Sequence, residues 1–419
     1  MNYLPRIVDT EIKELLEIMG AVQIEGCKWC GKSTTAAHYA QSIIEFQNPD
    51  RKSEYDNIKN TKPSLFLKGN KPRLFDEWQM YPVVWDCVRT DLDHTRLKGQ
   101  YLFTGSAKPM ENETMHTGTG RISKVLMRPM SLYESGESTG EVSLQDIFNN
   151  KDIEGVSNLS LEDLASLIVR GGWPAVLDVK SNAKYRIATE YVKRLINEEV
   201  TKVDGVERNP EKMLNVLRSL ARNITTQVSI TTIEADVKNT FENDVSRPTV
   251  ADYLNTLERL FVIEEMHATN LNLRSKYALR TTPKKYFVDP SLAAAILEIK
   301  PNDLINDLKT FGIMFEALCI RDLKIYAQSH GGNITFYRDE KDFEVDAIIR
   351  TSSGKWGAVE IKLGDGYIED AAQNLLKFKD KVDITKCGQP AFLMVLTGTS
   401  YSYKRDDGVY VVSIGTLKN

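Results

Sequence analysis

Short apolar runs set between longer helix-like stretches dominate the first third of the chain. Residues 21–24, 74–75 and 101–103 are such runs, and their alternation with helical segments predicts a parallel sheet with crossover helices. A polar stretch at 134–141 (ESGESTGE) reads as a surface loop, and a largely helical region follows from about 159 to 223. Between 224 and 289 two amphipathic helices precede strand-like segments. In the second helix, over 247–260, Val250, Tyr253, Leu254, Leu257 and Leu260 keep a 3/4 spacing, and Ser246 is placed to cap it. From about 301 helix and strand mix again. There, residues 343–350 and 356–363 alternate apolar and polar positions around Ser352, Ser353 and Gly354, the pattern of a β-hairpin.

Composition narrows the classes. With 419 residues the chain is too long for one core, and no period marks a solenoid or propeller. Lysine plus arginine number 54 against 58 aspartates and glutamates, a net charge of -4. A globally basic nucleic-acid binder is thereby excluded, and any polyanion contact must be a local patch. No apolar run approaches the roughly 18 residues of a membrane span, so no membrane partner is expected. The opening MNYLPRIVDTEIKE has neither region of a secretory signal, and five cysteines, an odd number, form no disulfide framework. A cytoplasmic location is expected.

The most specific chemistry lies at Gly26, Cys27, Lys28, Trp29, Cys30, Gly31, Lys32, Ser33 and Thr34. The first eight match G-x-x-x-x-G-K-[ST], with a strand before and a helical run after. In such a loop backbone N–H groups turn inward around phosphates, Lys32 reaches the terminal phosphates, and Ser33 binds magnesium. Asp76 and Glu77 end a short apolar segment, where Asp76 would hold the metal ion through water and Glu77 would activate the attacking water. Thr104 and Ser106 close a third strand at the end where open α/β sheets bind ligands. Arg121 and Arg128 follow a glycine-bearing segment and are the candidates for a cation on the γ-phosphate. Cys27 and Cys30 form a C-x-x-C, but zinc needs four ligands and the five histidines are scattered, so no metal is expected there.

The C-terminal hairpin carries a second constellation. A turn centred on Ser353 sets Asp346 opposite Glu360 and Glu344 opposite Lys362, all on one face. Directly opposed carboxylates repel unless a cation lies between them. A divalent metal at Asp346 and Glu360 is expected, with Lys362 orienting water or stabilising a pentavalent phosphate. Glu316, on an apolar helical stripe with Cys319, Ile320 and Leu323, is a further acid in need of a partner.

Taken in order, GCKWCGKST (26–34), FDEWQ (75–79), LFTGSA (102–107), Gly120-Arg121, RGGWPA (170–175), YFVDP (286–290), GIMFE (312–316) and EIK (360–362) resemble the prokaryotic AAA-type P-loop ATPases with a C-terminal domain of unknown function. In that family a winged helix precedes a PD-(D/E)xK nuclease-like fold. The resemblance implies an α/β multidomain chain: an AAA-like parallel α/β sandwich over 1–140, a helical connector over 141–223, a winged helix over 224–290 and a nuclease-like α/β domain over 291–419. It implies ATP and Mg2+ at Gly31, Lys32, Ser33 and Asp76, Glu77 as the water-activating base, Ser106 as sensor and Arg121 as finger. Asp346, Glu360 and Lys362 match the nuclease triad, and Glu316 the helix acid. Two departures stand out: Lys28-Trp29 replaces the family's usual Arg-Gln, and a longer apolar strand normally precedes the second acidic motif.

The helix expected to read DNA is neutral, Arg247 and Arg259 against Asp252 and Glu258. The following segment, 271–286, holds Arg274, Lys276, Arg280, Lys284 and Lys285 with no acid, and would track a phosphate backbone. Two functions are therefore expected. In the first, an ATP-hydrolysing enzyme drives a C-terminal module on nucleic acid. In the second, a nucleotide-controlled switch carries a recognition domain that does not cleave. A homo-oligomer or a protein partner is compatible with both.

Overall fold

The computed structural model describes residues 3–106, 118–241, 245–269 and 281–419. They form two compact units. The first comprises residues up to 129 with 200–206 and 259–261; the second comprises 130–199, 207–258 and 262–419.

The first unit is built on five parallel strands: β1 (Ala21–Glu25), β2 (Ser42–Glu45), β3 (Arg73–Asp76), β4 (Tyr101–Gly105) and β5 (Ile122–Leu126), in the order β2-β3-β4-β1-β5. Helix α1 (Val8–Ile18) precedes β1, and helices α2 (Lys32–Tyr39), α3 (Lys52–Thr61) and α4 (Val83–Thr95) lie in the crossovers from β1 to β4. The central strands β1 and β4 read as continuous buried runs because helices cover both faces of a parallel sheet. Phe46, Tyr55, Phe66, Phe75, Trp78, Trp85 and Phe103 fill one side of the core. The two-residue apolar run at Leu74 and Phe75 suffices for β3. Strands lie on both sides of it, and the Arg73 side chain is held by the Phe66 carbonyl and the Ser42 hydroxyl at 2.8 and 2.9 Å.

In the second unit β6 (Val142–Ser143), α5 (Leu144–Phe148), β7 (Gly155–Val156), α6 (Leu161–Arg170) and α7 (Arg186–Arg194) come first. Three helices follow, α8 (Pro210–Arg222), α9 (Ile230–Phe241) and α10 (Arg247–Arg259), and then the antiparallel pair β8 (Ile263–Met266) and β9 (Lys284–Phe287). After α11 (Pro290–Ile296) and α12 (Pro301–Asn306) comes the 21-residue α13 (Leu308–Gln328). The C-terminal part is β10 (Asn333–Arg338), β11 (Glu344–Arg350), β12 (Trp356–Lys362), α14 (Ile368–Lys381), β13 (Phe392–Thr397), β14 (Tyr401–Lys404), β15 (Tyr410–Ser413) and β16 (Leu417–Lys418).

These strands build a seven-stranded mixed sheet, β10-β11-β12-β13-β15-β14-β7. Ala347 faces Val359 and Arg350 faces Trp356, so the hairpin turns about Ser353 as expected. Helix α14 packs over Ile348, Trp356, Ala358 and Val395.

Residues 141–223 are not helical throughout. Strand β7 pairs with β14 and β6 with β16, so the start of the expected connector belongs to the C-terminal sheets. The boundary at 290 likewise runs through a buried polar knot. Asp289 accepts from Gly172 N–H and from Arg321, each at 2.9 Å, and Ser291 Oγ accepts from Trp173 Nε1 at 2.9 Å. Gly172 is required there because a Cβ would lie 2.1 Å from the Met130 carbonyl oxygen. RGGWPA and YFVDP are thus two halves of one packing contact.

Candidate functional site

Among the described residues each unit carries a cluster of chemically competent side chains. In the first, β1 ends at Glu25, the chain turns through Gly26 to Gly31, and α2 begins at Lys32. Gly31 has φ 105°, left-handed backbone that only glycine adopts without strain. Lys32 is buried and its Nζ donates to the Cys27 carbonyl at 2.7 Å, folding the ammonium back into the loop. Ser33 Oγ donates to Asp76 Oδ1 at 2.6 Å, Thr104 Oγ1 donates to the same oxygen, and Gln47 reaches Asp76 Oδ2 at 3.3 Å. A hydroxyl touching a carboxylate beside the loop suits a magnesium ion held by Ser33 directly and by Asp76 through water. Glu77 sits next to this pair at φ 53°, its Oε2 accepting from Ser106 Oγ at 3.1 Å and from Gln79 at 2.5 Å.

Arg121 is not brought to the loop. It precedes Ile122, which pairs with Ala21 at the start of β1, whereas the loop follows Glu25 at the strand's other end. Four residues of strand separate them, about 13 Å, and its guanidinium pairs with Asp93 at 2.9 Å. A parallel sheet fixes this: the residue before a strand and the residue after its neighbour lie at opposite edges. Arg128 lies at the loop's edge, just past Met127, whose N–H donates to the Glu25 carbonyl at 2.8 Å.

Arg6 is a residue that sequence reasoning missed. Its guanidinium donates to the carbonyls of Cys30 and Arg128, each at 2.8 Å, bracing the loop from below. One arginine before an amphipathic helix gives no local signal for that. Cys27 and Cys30 are fully buried. Burial would push the Cys30 thiol up, but a hydrogen bond with Cys27 and the nearby Lys32 and Arg6 cations hold it at about 6. Among the described residues no three histidine, cysteine or acidic side chains gather into a metal site.

In the second unit the hairpin brings Asp346, Glu360 and Lys362 together. Lys362 Nζ lies 2.8 Å from Glu360 Oε2 and 3.3 Å from Asp346 Oδ2. An ammonium of the protein's own thus lies between the opposed carboxylates, because strand alternation puts residue 362 on the same face as residue 360. Asp346 Oδ2 also accepts from Ile361 N–H at 2.7 Å, and Glu360 Oε1 accepts from Asn374 of α14 at 2.7 Å. The side-chain contacts of Asp346, to Ile361 N–H and to Lys362, are both made through Oδ2, and none through Oδ1 is seen among the described residues.

Burial, then the neighbouring Asp346, raise Glu360 to about 7 against the pull of Lys362. Burial opposes charge on Lys362, but Asp346 and Glu360 outweigh it and raise that ammonium above its ordinary range. Glu316 joins the cluster from α13, accepting from the Tyr286 hydroxyl at 3.1 Å, with Lys284 Nζ 3.6 Å away. Burial chiefly, with Asp346 and Glu344 adding, raises it to about 7, while Lys284 pulls it down.

The basic segment is partly corrected. Lys284 and Lys285 are buried in ion pairs, with Glu344 at 2.5 Å and with Glu265 respectively, so neither offers a free charge to a phosphate backbone. Adjacent on β9, the two side chains point to opposite faces of the strand, and each meets an acid there. Arg274, Lys276 and Arg280 lie outside the described residues. On α10, Asp252 is engaged by Arg208 at 2.9 Å.

Three family profiles match the chain: an AAA domain over residues 19–136, a domain of unknown function (DUF8612) over 161–303, and a second (DUF4143) over 311–417. No curated protein sequence matches it. Among solved structures, AMPPCP-bound DnaA from Aquifex aeolicus is 13% identical, covers 62% of this chain and 89% of its own, and has a TM-score of 0.31. The replication initiator DnaA bound to AMPPCP and single-stranded DNA is 13% identical, with 60% and 86% covered and a TM-score of 0.27. Drosophila ORC bound to DNA is 12% identical, with 70% and 95% covered and a TM-score of 0.23.

Proposed function

We propose that the chain hydrolyses ATP with magnesium and couples this to a C-terminal module acting on nucleic acid, a reading supported by the AAA-domain match over residues 19–136 and the DUF4143 match over residues 311–417. The carrying observation is the 2.6 Å bond between Ser33 and Asp76 beside a buried, inward-folded Lys32. Lys32 would exchange the Cys27 carbonyl for the terminal phosphates, and Ser33 with Asp76 would hold the ion. Bound magnesium supplies charge neutralisation of the phosphates. Glu77 would leave Gln79 and Ser106 to take a proton from the attacking water.

Lys32→Ala should abolish ATP binding and turnover, and Glu77→Gln should keep binding but lose turnover by about 10²-fold or more. Unchanged nucleotide affinity in Lys32→Ala sinks the reading.

In the C-terminal module, Asp346, Glu360 and Lys362 would act on a phosphodiester, with a divalent ion on Oδ1 of Asp346 and on Glu360. The chain α8, α9, α10 and the β8–β9 pair fits a winged helix, which would bring the nucleic acid. The second reading, a nucleotide-controlled switch without cleavage, is favoured by Lys362 already neutralising the carboxylate pair. Incubation with DNA, magnesium or manganese, with and without ATP, separates the two. Cutting that Asp346→Ala abolishes supports the enzyme, and its absence across metals and substrates supports the switch.

A further inference from the structure

Strand β9 sends alternate side chains to opposite faces. Lys285 turns toward Glu265, its partner across the β8–β9 ladder. Lys284 and Tyr286 turn the other way, into the acid cluster. Lys284 Nζ lies 2.5 Å from Glu344 Oε1 and 3.6 Å from Glu316 Oε1, with its side chain only 5% exposed, and Tyr286 donates to Glu316.

This repeats the arrangement around Lys362, an ammonium between two carboxylates. The cluster thus holds Glu316, Glu344, Asp346 and Glu360 against Lys284 and Lys362, with Arg338 3.5 Å from Glu344. Lys284 lies within the DUF8612 match at 161–303, outside the DUF4143 match at 311–417. The segment of either match alone therefore lacks part of the cluster.

We propose that Lys284 is a built-in cation of the C-terminal site, filling its Glu316–Glu344 half and confining any divalent ion to the Asp346–Glu360 half. The assignment rests on the reading of that cluster as a phosphodiester site. Its physical basis is that a second pair of partly buried carboxylates, both within reach of one buried ammonium, needs a positive charge, and a covalently attached ammonium supplies one at every metal concentration. A divalent ion entering the same space would have to displace a buried lysine that has no other acid to turn to on its strand.

The test counts Mn2+ ions bound by the nucleotide-free full chain, by calorimetry and by electron paramagnetic resonance. Lys284→Met and Lys284→Gln should each bind one more ion than the wild type, and Lys284→Arg the same number. Glu344→Gln added to Lys284→Gln should remove the extra ion. The glutamine variant keeps an amide donor for Glu344 and serves if the methionine variant does not fold. Equal counts in the wild type and the neutral variants overturn the proposal. The phosphodiester reading fails separately: if the wild type binds no ion that Asp346→Ala removes and cuts no DNA, an extra ion in Lys284→Gln still assigns Lys284 its role.

Discussion

Replacing Glu360 with glutamine should make the second unit more stable at neutral pH, a sign opposite to that of most substitutions in a buried polar site. Glu360 is only 4% exposed, and its carboxyl is held near 7, against an ordinary 4.5, by burial and by Asp346. Below pH 4.5 the group is protonated in folded and unfolded chains alike and contributes no difference. Between 4.5 and 7 the unfolded chain releases the proton while the folded chain keeps it, so stability falls as pH rises, by about 3 kcal/mol in all. Above 7 the loss is complete and constant.

Glutamine carries no ionisable group and can still accept from Asn374 through its carbonyl. Its neutral amide gives up the direct attraction of Lys362, but Asp346 continues to engage that ammonium. Urea melts of wild type and Glu360→Gln should therefore diverge with pH. Their midpoints should differ by about 1 M more at pH 8 than at pH 4.5, for an m-value of about 3 kcal/mol/M. A difference between the two proteins that stays flat from pH 4.5 to 8 would refute the account of Glu360 as a carboxylate ionised against its surroundings.

Gly31→Ala should cost about 1–2 kcal/mol of stability and lower ATP affinity, since φ 105° is left-handed backbone that a Cβ resists; thermal melting and nucleotide titration read both. Arg121→Ala should leave ATP affinity unchanged because the side chain sits at the opposite edge of the sheet and pairs with Asp93, and a loss of nucleotide binding would show that placement to be wrong. Arg321→Met should destabilise the second unit by about 3–5 kcal/mol in denaturant melts, because it strands Asp289 and Asp322, both fully buried, without their shared cation.

Much of each site was legible because it is local. The phosphate loop is nine consecutive residues whose glycines, lysine and hydroxyls act within one turn, and the hairpin register follows from alternation about Ser353. Thr104 shows in the sequence as a polar residue at a strand's carboxyl end, whereas its bond to Asp76, and Gln47 altogether, do not. Both reach Asp76, but only because β4 lies beside β3 and β2 ends next to it. Neither residue type by itself names Asp76 as its partner.

By itself the sequence determined the phosphate-binding chemistry, the acid–lysine face of the hairpin and the α/β character of the first unit, since each depends on spacing within a short stretch. Tertiary structure decided which charges are available. It placed Arg121 at the far edge of the sheet and Arg6 under the loop, set the Lys362 ammonium between Asp346 and Glu360, and turned Lys284 from a surface cation into part of the acid cluster. The reason is common to all four. A side chain's type is written in the chain, but its partner is fixed by which strands and helices become neighbours, and in a buried site the partner sets whether a charge is free to meet a ligand or already spent on the protein.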